Sequence, residues 1–132
     1  MPDAKPIMLY AAILAVVFVA LTLRTIVLRT RVRVALGDGG DARLQRAIRA
    51  HANFVEYTPF ALLLLVLLTW GGADSRLLHT LGTMLIAGRI IHAVGISQVK
   101  EPLPLRQVGM VLTLSVLLVS AGVLMYLVWV KG

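Results

Sequence analysis

Residues 48–60 read IRAHANFVEYTPF: an arginine, an asparagine and a glutamate stand at Arg49, Asn53 and Glu56, just where the chain enters a strongly apolar run. From Tyr57 to Trp70 no charge follows. Backbone in hydrocarbon must close its hydrogen bonds within its own segment, so a run of this kind reads as a helix entering a bilayer. The polar residues ahead of it then need a reason to be there.

The whole chain agrees with a membrane setting. Of its 132 residues, 59% are hydrophobic and only 14% charged, and the mean hydropathy of +0.90 lies outside the range of ordinary soluble domains. A helix needs roughly 20 residues to cross a bilayer core about 30 Å thick, and four stretches approach that length, at about 7–28, 54–70, 77–99 and 108–130. The first is interrupted only by Arg24, the third carries Arg89, and the fourth holds no charge. Four spans are too few for a closed barrel, so the expected fold is an all-α integral membrane bundle of four transmembrane helices, one domain over residues 1–132. The first span is longer than a secretory signal core and LTLRT at 21–25 offers no small-residue cleavage site, so it is expected to stay in the mature chain.

Charge gives the expected orientation. The net charge is +7, and Arg24, Arg29, Arg31, Arg33, Arg43, Arg46 and Arg49 crowd the basic region around 29–53 against only Asp38 and Asp41. Lys100, Glu101 and Arg106 lie between the third and fourth spans. The positive-inside tendency puts both basic loops in the cytoplasm and both termini on the far side, as in a bacterial inner membrane. Topology accounts for these arginines, and without interleaved aromatics or a nucleic-acid motif no nucleic-acid partner is expected. The absence of cysteine excludes disulfides and a cysteine nucleophile. No metal is expected either, because no histidine or carboxylate stands at ligand spacing from His92.

Asp41, after Gly39-Gly40, is a good N-cap, and nothing breaks a helix from Ala42 until Gly71, with Pro59 the one expected kink. At about 100° per residue, Arg46, Arg49, Asn53 and Glu56 fall on one arc of that helix. A polar stripe thus descends from the surface into the bilayer. Charges at membrane depth are costly and usually face a bundle interior, so Glu56 is expected to pair with Arg89, with His92 one turn further on the same side. A cation, an amide and an anion in sequence suit a zwitterionic ligand with carboxylates and an ammonium group. Gly82, Gly88 and Gly95 suit close helix approach. Trp70, Tyr126 and Trp129 suit the membrane interface, and His79 a solvated or interfacial position.

The segment Arg49-Ala-His-Ala-Asn53-Phe-Val-Glu56-Tyr57-Thr-Pro59, the segment Gly88-Arg89-Ile-Ile-His92-Ala-Val-Gly95, and Arg106 at the head of the fourth span together resemble the MAPEG superfamily, the membrane-associated proteins in eicosanoid and glutathione metabolism. The likeness covers nearly the whole chain. It implies a homotrimer that binds glutathione between subunits near the cytoplasmic face, with no metal. By that resemblance Arg49, Asn53, Glu56 and Tyr57 hold the tripeptide, with Arg31, His51 and His92 as further contacts, and Arg106 stands near the thiol and stabilises the thiolate. The second substrate would be a lipophilic electrophile arriving through the membrane lipid. Ile96 stands where several animal members carry a tyrosine, and no hydroxyl follows Arg106 through Met110, so a general, bacterial-type glutathione transferase or peroxidase is favoured over an eicosanoid synthase. Two other functions compete: a small transporter using Glu56 as a proton-coupled site, and a non-catalytic membrane assembly protein.

Overall fold

The computed structural model describes residues 3–100 and 103–131, and these form four helices in sequence: α1 (Lys5–Val32), α2 (Ala42–Trp70), α3 (Ser75–Ser97) and α4 (Leu103–Lys131). All four are long and apolar enough to cross a membrane. Helical backbone continues past the apolar spans at the basic end, because α1 runs on to Val32 and α2 already starts at Ala42. Most of the basic region at 29–53 is therefore helix. Glu101, expected in the second basic loop, lies outside the described residues.

Local chemistry sets the boundaries. Pro6 lies in the first turn of α1, where its missing N–H costs nothing. The helix stops at Arg33, whose backbone is left-handed at φ 56°. Gly37, Gly39 and Gly40 then take positive φ and turn the chain, while Arg29 donates from Nη1 to the Gly37 carbonyl at 2.8 Å. The Asp41 carboxylate accepts from the Leu44 N–H at 2.8 Å and caps α2 as expected. Asp74 caps α3 by accepting from the Arg76 N–H at 2.6 Å.

Helices α2 and α3 form the centre of the bundle; α1 packs against both, α4 packs against both, and α1 and α4 do not touch among the described residues. Leu14, Phe54, Ala61, Leu65, Leu81, Leu85 and Val116 make the shared core. Since lipid is as apolar as leucine, close packing rather than water exclusion joins such helices. The α3–α4 seam is the tightest. A Cβ on Gly109 would come within 2.5 Å of the His92 backbone nitrogen, and one on Gly95 within 2.9 Å of the Arg106 nitrogen. Absence of side chains at these two positions lets α4 lie directly on α3 beside His92. On the other flank, Gly82 receives the ring of Tyr10, whose hydroxyl bonds His79 Nδ1 at 2.9 Å and Thr83 Oγ1 at 3.1 Å. His79 is thus tied to α1, although its own surface is exposed. Trp70, Tyr126 and Trp129 all face outward near span ends.

Candidate functional site

The site grows from one buried cation. Arg89 is 0% exposed in the middle of α3, and an isolated charge there would carry a desolvation cost of several kcal/mol. Its Nη2 donates to Asn53 Oδ1 at 2.5 Å, its Nη1 to Thr113 Oγ1 at 3.5 Å, and its guanidinium carbon stands 5.7 Å from the Tyr57 ring centre. Helices α2, α3 and α4 are therefore joined through this one side chain. Thr113 in turn donates to the Gly109 carbonyl at 2.9 Å, which ties the network to the tight seam.

This arrangement corrects the expected Glu56–Arg89 ion pair. Glu56 is exposed, and no Arg89–Glu56 contact within ion-pair distance occurs among the described residues. The neutral oxygens of Asn53 and Thr113 lie nearer the centre of the bundle and take the guanidinium instead.

The contact also fixes Asn53. A guanidinium only donates, so the asparagine must present its oxygen to Arg89, which leaves the NH2 as a donor elsewhere. Asn53 lines a cavity of about 370 Å³ between α2, α3 and α4. Arg46 and Arg49 rise above it on α2, Tyr57 lies one turn below, His92 and Ile96 come from α3, and Arg106 and Met110 from α4, with Gln45 at the rim. His92 Nδ1 lies 3.2 Å from the Arg106 carbonyl oxygen. Because a carbonyl only accepts, Nδ1 carries the proton, and this bond holds the first turn of α4 against α3.

Of the residues singled out in the sequence, Arg49, Asn53, Tyr57, His92 and Arg106 thus share one cavity. Glu56, His51 and Arg31 do not line it. His51 turns toward α1, with Nε2 3.1 Å from Thr22 Oγ1 and its ring 5.2 Å from that of Phe18. Arg31 lines a separate cavity on the α1 side. Arg46 belongs to the stripe legible in the sequence, one turn before Arg49, but its place on the wall follows only from the packing. Thr113 and Gly109 carried no signal within an uncharged span.

Chemically, the cavity is lined by three guanidinium groups, an amide, an imidazole and a phenol, and no carboxylate lines it among the described residues. It suits a small polar molecule with more than one anionic group and with amide carbonyls, since guanidinium groups match carboxylates in charge and geometry. No group of three or more histidine or acidic side chains able to hold a metal occurs among the described residues.

Comparison with known proteins agrees with the architecture. No solved structure gives a match. Inner membrane protein YecN of Escherichia coli K12 is 41% identical over 87 residues, covering 66% of this chain and 66% of that protein. The same protein from Escherichia coli O6:H1 matches equally, so the aligned region spans just under two thirds of these relatives' length. The model of the MAPEG family matches residues 7–126, from the first turn of α1 far into α4 and across every residue of the cavity. The chain belongs to the MAPEG family.

Proposed function

We propose that this protein is a membrane-bound glutathione-dependent transferase, which activates the thiol of glutathione for attack on a lipophilic electrophile. The observation that carries the proposal is the convergence of Arg46, Arg49 and Arg106 with Asn53 and Tyr57 in one cavity of a MAPEG chain. Glutathione has two carboxylates and two amide carbonyls. Arg46 and Arg49 pair with its carboxylates, and the Asn53 NH2, turned away from Arg89, donates to an amide carbonyl.

Arg106 takes the thiol end. A guanidinium beside the sulfur favours the thiolate, the nucleophilic form. The thiol proton passes to water, the sulfur forms a bond to the electrophilic carbon, and the leaving group departs with the electron pair of the bond that breaks. With a hydroperoxide instead, the sulfur attacks the terminal oxygen, the O–O bond breaks and the alcohol leaves with a proton; a second glutathione thiol then displaces that oxygen as water from the sulfenic acid and completes the disulfide. In both cases a soluble nucleophile and a substrate from the lipid meet in one place, and the gain is proximity and orientation.

The proposal includes a homotrimer with the ligand at the seam between chains. Glu56 stands exposed at the entrance to an apolar span, where a carboxylate facing lipid is costly. A neighbouring chain covers it, and there the glutamate approaches the ammonium end of the ligand. The basic helix ends face the cytoplasm by the charge bias, and the name of the Escherichia coli relatives supports an inner-membrane location.

Turnover with an activated aryl halide tests the thiolate assignment. Arg106→Ala is expected to lower kcat about a hundredfold while changing glutathione affinity far less, as for removal of one group that stabilises developing charge. An Arg106→Ala protein that turns over at the wild-type rate refutes the assignment.

A further inference from the structure

A second cavity lies on the opposite flank of the bundle, at the same basic end. It has a volume of about 480 Å³ and carries Arg24, Arg31 and Arg43 on walls that include Leu23, Val27 and Val99. Arg24 and Ser97 also line an adjoining groove of about 430 Å³, which continues between α1 and α3 over Leu21, Ala93 and Val94. The first carries three cations, and the second is mostly apolar in surface, with Gln98 as its one polar residue not at the junction. They share Arg24 and Ser97, and the apolar part lies toward the membrane centre, because residues 21 and 93 precede the basic ends of α1 and α3.

Arg24 is held in place at that junction. Its Nη1 donates to Ser97 Oγ and its Nη2 to the Ser97 carbonyl at 3.3 Å. A guanidinium carries more N–H donors than Ser97 takes up, so a fixed donor set remains where the two cavities meet. Among the described residues, no carboxylate lines either cavity. Arg31 and Arg43, both exposed, complete the cationic part from α1 and from the first turn of α2.

We propose that these joined cavities bind an anionic phospholipid, with its phosphate among Arg24, Arg31 and Arg43 and one acyl chain along the groove of Leu21, Ala93 and Val94. Basic pockets between transmembrane helices recognise such headgroups through charge, and the chain is held by apolar contact. A free anion would satisfy the arginines alone and would have no use for the groove. The lipid joins α1 to the start of α2 and the end of α3, at the side of the bundle away from the glutathione cavity.

Native mass spectrometry of the detergent-purified protein with added phosphatidylglycerol, phosphatidylcholine or inorganic phosphate tests this site. The wild type should retain phosphatidylglycerol about tenfold better than phosphatidylcholine. The exposed pair Arg31→Gln/Arg43→Gln should abolish that preference, and Val94→Trp, which fills the groove without touching charge, should weaken retention of phosphatidylglycerol. Equal retention of both lipids by the wild type, or an undiminished preference in the double variant, overturns the proposal. So does displacement of phosphatidylglycerol by equimolar inorganic phosphate, which would mark a site for the anion only. Unchanged retention by Val94→Trp removes the acyl groove from it.

Discussion

Arg89 of α3 and Asn53 of α2 face each other across the bundle at 2.5 Å, guanidinium to amide oxygen, and this contact offsets part of the cost of a buried cation while leaving the NH2 of a cavity-lining asparagine to donate elsewhere. Structure and proposed ligand recognition therefore depend on the same hydrogen bond.

Removing one side of that contact should be far worse than removing both. Asn53→Leu leaves the Arg89 guanidinium short of its best acceptor, at an expected cost of about 3 kcal/mol. The double variant Asn53→Leu/Arg89→Met replaces a buried polar pair with apolar side chains and should recover most of that loss. Thermal unfolding in detergent checks this, and a double variant less stable than Asn53→Leu would show that the guanidinium stabilises the bundle by another route.

Gly109 and Gly122 lie on the same helix and should respond oppositely to alanine. A methyl group on Gly109 meets the His92 backbone nitrogen at 2.5 Å, whereas nothing stands within 4 Å of one on Gly122. Gly109→Ala must push α4 off α3, with an expected loss of about 2 kcal/mol. Glutathione affinity should fall with it, since Arg106 and His92 share that seam. Gly122→Ala should be neutral or stabilising by up to about 1 kcal/mol. Comparison of the two midpoints in one detergent decides the matter.

Asp41 caps α2, the helix that carries Arg46, Arg49 and Asn53. Asp41→Ala removes the acceptor of the Leu44 N–H and should cost about 1 kcal/mol. Asp41→Asn keeps an acceptor and should cost less. The loss should appear as faster amide exchange in the first turns of α2, with α3 unaffected.

The helices were legible because apolar length is a one-dimensional property, and the start of α2 was legible because Asp41 follows a glycine cluster. Periodicity also places Arg46, Arg49, Asn53 and Glu56 on one arc, and the structure puts the first three on one cavity wall and leaves Glu56 off it. It gives the direction of a side chain around its own helix but not which neighbour it meets. For that reason opposite charge points to Glu56 as the partner of Arg89, while the neutral Asn53 and Thr113 hold it. Arg31 and His51 show the same limit, since both are polar and stand near the basic helix ends yet lie on the α1 side. Gly109 was silent because a glycine in an apolar run acquires meaning only when another backbone lies against it.

The most direct test of the account is equilibrium binding of glutathione to the purified protein in detergent, by calorimetry, alongside Arg49→Ala and Arg46→Ala. The account predicts saturable binding by the wild type and a loss of about tenfold or more in each variant, the usual consequence of deleting one member of a charged hydrogen-bonded pair. A folded wild type that binds no glutathione, or variants that bind it as tightly as the wild type, would contradict the assignment of the cavity.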